Sequence, residues 1–284
     1  MRWQQGRRSS NIEDRRGMRI SRGKVGGGIG TIILILVGMY FGIDPSVFMN
    51  TTSTTSDSRV QVQPAARPAE ENRLADFVSV VLADTEDTWH TIFSRNGKTY
   101  QEPRLVMFTD TVDSACGQAQ AAMGPFYCPS DHKVYIDLGF YRELQVRFRA
   151  PGDFAQAYVI AHEIGHHVQN LLGILPKVHE AQSRLSRSQA NALSVRLELQ
   201  ADCLAGIWAH HADRSRQILE QGDVEEALNA ASAIGDDRLQ QQHQGRVVPD
   251  SFTHGTSRQR VRWFTRGLQS GQFAQCNTFD SEDL

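Results

Sequence analysis

Between Lys24 and Asp44 the chain runs VGGGIGTIILILVGMYFGI, Val25 to Ile43, without a charge. A stretch of about this length spans a bilayer as one helix. Before it, Arg2, Arg7, Arg8, Arg15, Arg16, Arg19, Arg22 and Lys24 crowd the N-terminus, against only Glu13 and Asp14. A cleaved signal peptide would share that basic flank, but no A-x-A-like site follows in Gly42-Ile43-Asp44-Pro45. A buried core helix would not sit between an arginine cluster and a polar tract. The expectation is therefore a single-pass anchor at residues 25–43 in the cell inner membrane. Residues 1–24 form a basic cytoplasmic N-terminus, and everything after Asp44 lies outside, in the periplasm.

Residues 44–72 contain NTTSTTSDSRVQVQPAARPAEEN, rich in Thr, Ser, Pro and Gln with no sustained apolar period. Such a composition buries too little surface to offset ordering, so these residues read as a flexible linker. The remainder, 73–284, is long enough for a sizeable core. Net charge over the whole chain is -2, which offers no electrostatic case for nucleic acid.

The folded part is expected to be α+β, mostly helical with a small sheet. Leu74, Phe77, Val78, Val81, Leu82 and Trp89 recur at helical spacing. Arg104 to Phe108 and Lys133 to Leu138 look like short strands. A helix is expected from about Phe154 to Leu172, with Asp153 and Gln156 at capping-box spacing and Gly173 as its stop. Others cover about Gln182 to Ala212 and Asp223 to Ile234, and a last one is capped by Thr256 or Ser257. Cysteines number four, with no C-x-x-C pair. Cys116 and Cys128 flank a short Gly/Pro-containing stretch and make the expected disulfide, leaving Cys203 with Cys276; four buried thiols are the other arrangement.

Within the helix expected after Asp153 stands Ala161-His162-Glu163-Ile164-Gly165-His166, an H-E-x-x-H pattern. Positions i and i+4 share a helix face, so both imidazoles reach one ion, Zn2+ by residue type. Glu163 is placed to take a proton from water at that ion and pass it on. A catalytic zinc needs a third protein ligand and an open position. The extended histidine form is absent, because Gln169 and Leu172 stand where its glycine and third histidine would be. Glu198 and Asp202 lie one helical turn apart in a largely apolar run. Glu198 suits ligation, and Asp202 suits a place behind a histidine, fixing its tautomer. His254, in Ser251-Phe252-Thr253-His254-Gly255-Thr256-Ser257 ahead of Arg258 and Arg260, is a candidate for stabilising an oxyanion, with a surface or helix-capping histidine as the alternative.

Blocks such as SACGQAQAAMGPFYCPSDHKVYIDL, GDFAQAYVIAHEIGHHVQNLLGI, LSVRLELQADCLAGIWA, IGDDRLQ and PDSFTHGTSRQR resemble the bacterial neutral zinc metallopeptidases, a membrane-anchored family. The E-x-x-x-D block also resembles the glutamate-ligand, thermolysin-like zincins. These resemblances imply a zincin-like domain in which His162, His166 and Glu198 hold zinc and Glu163 is the base. They further imply Asp202 behind a histidine, His254 as a counterpart of the transition-state histidine, and Lys133 to Leu138 as the strand edge that pairs with substrate. The implied activity is hydrolysis of peptide bonds in a peptide or protein substrate. The alternatives are another zinc hydrolase on the same site, or a membrane-tethered binding or assembly factor with a structural or vestigial zinc.

Overall fold

The computed structural model describes residues 1–18 and 68–284. In chain order, β1 (Ile12–Asp14) is followed by α1 (Ala69–Arg95), β2 (Arg104–Phe108), β3 (Thr111–Ser114), β4 (Gly117–Gln120), β5 (Phe126–Cys128) and β6 (Lys133–Asp137). Then come α2 (Gly139–Val146), α3 (Asp153–Leu171), α4 (Ile174–Gln182), α5 (Arg187–Arg216), α6 (Asp223–Ala233), α7 (Asp236–Gln244) and α8 (Ser257–Ser270). The α+β expectation, mostly helical with a small sheet, holds for these residues.

Local chemistry sets most of the boundaries. Helix α3 ends one residue before a C-cap at Leu172, and Gly173 takes the left-handed conformation that a side chain would resist. The capping box expected at its start does not form. Gly152 is the N-cap and Asp153 lies inside the helix, where its carboxylate accepts from the Met1 ammonium at 2.6 Å. Helix α5 begins at Arg187, later than expected, because Ile174–Gln182 forms a helix of its own. Ser186 and Gln189 cap α5 reciprocally, and Thr256 and Gln259 do the same for α8.

Two boundaries differ from the sequence expectation. Helix α1 starts at Ala69, inside the stretch read as linker, with Glu70 and Glu71 in its first turn, where the helix dipole favours acids. Residues 1–18, read as a separate basic tail, pack on the domain and supply β1 to its sheet. Sheet order is β1-β2-β6-β5, with β1, β2 and β6 parallel and β5 antiparallel to β6. Strands β3 and β4 form a separate hairpin. Among the described residues no helix is long and apolar enough to cross a membrane. The anchor expected at 25–43 lies outside the described residues.

Helices α3, α5 and α8 approach closely because glycines stand at their crossings. A Cβ on Gly165 would sit 3.0 Å from the Ala201 carbonyl oxygen, so this glycine lets α3 lie against α5 at the level of the H-E-x-x-H segment. A Cβ on Gly206 would clash with the Phe264 carbonyl oxygen, so this glycine lets α8 lie still closer to α5. Disulfides join Cys116 to Cys128 and Cys203 to Cys276, the pairs expected from sequence. The second ties the segment after α8 to α5, one residue from Asp202.

Candidate metal centre

Helix α3 presents His162 and His166 from one face, and α5 presents Glu198 opposite them. One ligand atom from each lies within 4.8 Å of the other two. His162 Nε2 is 3.1 Å from Glu198 Oε2, and His166 Nε2 is 3.4 Å from Glu198 Oε1. Glu163, beside the two histidines on the same helix, is only 8% exposed.

The outer nitrogens of the two imidazoles are already committed. His162 Nδ1 donates to Asp202 Oδ1 at 2.8 Å. His166 Nδ1 donates to Gln169 Oε1 at 2.9 Å. The Gln169 orientation is fixed, since its Nε2 donates to the Leu197 carbonyl at 2.7 Å and to Gln200 Oε1 at 3.1 Å. Both Nδ1 atoms therefore hold a hydrogen against a fixed acceptor, and both Nε2 atoms face Glu198, so a proton lost on metal binding comes from Nε2. That leaves the tautomer a metal requires, held by partners behind the ligands. Two neutral imidazoles and a carboxylate are a donor set that suits zinc and leaves a fourth position open.

Charge in the site follows from burial and neighbours. Burial alone would push Glu198 up, but the charges of His166 and His254 and the His162 hydrogen bond hold it well below the usual carboxylate range. Glu198 is thus the ionised acid that ligation needs. Burial pulls His162 down, yet the adjoining Asp202 carboxylate outweighs it and raises the imidazolium to about 10. Because a ligand imidazole must be neutral, metal uptake at neutral pH displaces a proton from His162. Burial raises Glu163, which brings its pKa nearer the range where an acid and base of one group are both useful.

Behind His162 lies a closed network. Asp202 is fully buried, and its Oδ1 accepts from Tyr158 Oη at 2.5 Å, His162 Nδ1 at 2.8 Å and Arg260 Nη2 at 2.9 Å. Its Oδ2 accepts from Arg260 Nε at 2.9 Å. Arg260 is 2% exposed and pairs with Asp202. In the sequence it stood out only as a basic residue shortly after His254.

His254 sits on the loop before α8, and its side chain is 36% exposed. Asp236, fully buried at the start of α7, holds that loop. Its Oδ2 accepts from the backbone N–H of Thr253, His254 and Gly255 at 2.8, 2.6 and 3.0 Å. Asp236 Oδ1 lies 3.3 Å from His254 Nδ1, and Thr253 Oγ1 lies 3.0 Å from the same nitrogen. Burial lowers His254, but the charges of Glu198 and Asp236 outweigh it and raise its pKa.

The strand beside α3 is not the one expected. Strand β6 lies between β2 and β5, paired with β5 over Lys133–Tyr135, so it is not the outer strand of the sheet. The outer strand is β5, whose Tyr127 hydroxyl meets His167 Nδ1 and Asn170 Nδ2 of α3 at 3.0 Å each. His167 is taken up by that contact and by the Gln101 carbonyl at 2.6 Å.

Gln169, Tyr158, Arg260 and Asp236 complete the site without having been assigned these partners from sequence. A mostly helical α+β domain that brings two buried histidines and a partly buried glutamate together defines a candidate H-E-x-x-H metal site. The chain belongs to the family described as "Putative neutral zinc metallopeptidase", whose model matches residues 1–279. It is 53% identical over 292 residues to "Uncharacterized protein YpfJ" of Escherichia coli (strain K12), covering 98% of this chain and 99% of the relative. It is 38% identical over 259 residues to "Uncharacterized protein Rv2575" of Mycobacterium tuberculosis (strain ATCC 25618 / H37Rv), covering 87% of this chain and 86% of the relative. No solved structure matches the chain.

Proposed function

We propose that this chain is a zinc-dependent peptidase, attached to the membrane through residues 25–43, with its domain on the extracytoplasmic side. The observation that carries the enzymatic part is the convergence of two Nε2 atoms and an ionised Glu198 beside the buried Glu163. Two disulfides suit an oxidising compartment. His162, His166 and Glu198 would hold the zinc. When bound, it supplies a Lewis acid that activates water and polarises a carbonyl.

The remaining work falls to the chain's own side chains. Glu163 takes the proton of the attacking water and delivers it to the leaving amine. Its burial shifts it toward the protonated form, the direction that suits a group acting as acid after acting as base. Asp202 and Gln169 keep the two histidines in the ligating tautomer. His254 in its imidazolium form, which the Glu198 and Asp236 charges favour, keeps Nδ1 engaged by Asp236 and Thr253 and offers its Nε2–H to the negative charge that develops on the scissile carbonyl oxygen. An extended substrate is accommodated along the outer edge of β5, where backbone pairing would give affinity without strict sequence preference.

The test is cleavage of a mixed-sequence peptide library, read by mass spectrometry. The purified zinc-loaded protein is expected to produce new termini, and the chelated protein none. An intact library after incubation with a fully zinc-loaded protein would overturn the peptidase proposal.

A further inference from the structure

The polar N-terminal segment carries out part of the packing of α1. Trp3 is 6% exposed and meets Phe77 edge-on, with ring centroids 5.4 Å apart. Glu86, fully buried in α1, takes its partners from this segment: Arg7 Nη2 at 2.8 Å, Ser9 Oγ at 2.5 Å and Asn11 Nδ2 at 2.9 Å. Without residues 7–11 that carboxylate would be buried without these donors, which is strongly unfavourable. Further along, β1 pairs in parallel register with β2, Ile12 opposite Leu105. Glu13 accepts from Lys133 Nζ of β6 at 2.9 and 3.1 Å.

The basic character of the segment is also absorbed. Arg8 pairs with Asp76 at 2.7 Å, Arg7 with both Glu86 and Asp87 at 2.8 Å, and Arg16 with Asp14 at 2.8 Å. Arg16 Nη1 also reaches the Glu71 carbonyl and carboxylate, each at 3.1 Å. The chain therefore leaves after Met18 and returns at Ala69 on the same side of the domain.

We infer that residues 1–18 and the metal-site domain occupy the same compartment, as two parts of one folded core. A lone crossing of the bilayer at residues 25–43 would place Trp3, Glu86's partners and β1 on one side and α1 and β2 on the other. One crossing cannot be reconciled with those contacts, whichever side the domain faces. The expectation of a cytoplasmic N-terminus with an extracytoplasmic domain is the arrangement this rules against. The inference does not depend on the proposed peptidase activity.

The experiment places single added cysteines at two exposed positions, Gln5→Cys and Lys177→Cys, in the full chain. Spheroplasts are treated with a membrane-impermeant maleimide before or after lysis, and labelling at each position is read by peptide mass spectrometry. The two positions are expected to behave alike, both labelled in intact spheroplasts or both only after lysis. One position labelled and the other protected would overturn the inference. Thermal melting provides a second readout. Trp3→Ala is expected to lower the melting temperature of the domain by roughly 5–15 °C, as for loss of a buried tryptophan. An unchanged melting temperature would show that the segment does not pack there.

Discussion

Glu198→Ala is expected to lose zinc under a chelator competition that leaves the unmodified protein loaded. Glu198 is the donor that α5 contributes, and its removal leaves only the two histidines of α3. Asp202→Asn is the informative comparison, because both acids lie on the same helix, one turn apart. Asn still offers a carbonyl oxygen to His162 Nδ1 but loses the charge, so zinc binding should weaken by roughly 10–100-fold and remain saturable. Zinc content measured by elemental analysis against a series of chelator concentrations separates the two. If Asp202→Asn loses the metal and Glu198→Ala keeps it, the assignment of ligand and supporting residue is reversed.

Arg260→Leu is expected to destabilise the domain by about 3–5 kcal/mol, the usual cost of removing one partner of a buried ion pair. For a domain of this size that lowers the melting temperature by roughly 6–20 °C. Arg260 supplies two of the hydrogen bonds to Asp202, through Nε and Nη2. Burial raises Asp202, but the charges of Arg260 and His162 overcome it and hold the carboxyl at about 2. A depressed pKa of this kind adds stability that is present above the unfolded value near 3.9 and is lost as pH falls through about 2. The difference between Arg260→Leu and the unmodified protein should therefore be largest near neutral pH and narrow in acid. Melting curves across pH check both the size and the trend. A constant gap at every pH would mean that Arg260 acts through packing alone.

These two experiments probe residues that the sequence made visible to different degrees. Glu198 and Asp202 were legible because acids at helical spacing interrupt an apolar run, and because H-E-x-x-H leaves a donor missing. Arg260 was visible only as a basic residue near His254. Its pairing with Asp202 depends on α8 packing against α5, a tertiary approach with no local signature. Gln169 was noticed for not being a glycine, whereas its role depends on Leu197 and Gln200 fixing its amide from another helix. Asp236 lay in the IGDDRLQ block, and nothing in its neighbourhood pointed to a loop 17 to 19 residues later.

The fold shows the same division. Helix stops at Gly173 and caps at Thr256 are local and were read closely. The N-terminal segment was misread because a cluster of arginines looks like a free basic tail when their acids lie far along the chain. Asp76, Glu86 and Asp87 stand on α1, between 68 and 80 residues away from Arg8 and Arg7. Trp3 was the local sign that the segment buries something. Strand order was likewise beyond the pattern of single strands, so β6 was taken for an edge that β5 occupies.

The most direct measurement is Glu163→Gln, with zinc content and peptide-library cleavage determined on the same preparation. Glutamine keeps the volume and the hydrogen-bonding reach of Glu163 but cannot carry a proton. The variant should retain one zinc per chain, because Glu163 is not among the three converging donors. Cleavage should fall by roughly 10²–10⁴-fold, the range expected for loss of a general acid–base group. Cleavage by the zinc-loaded variant at the rate of the unmodified protein would contradict the account.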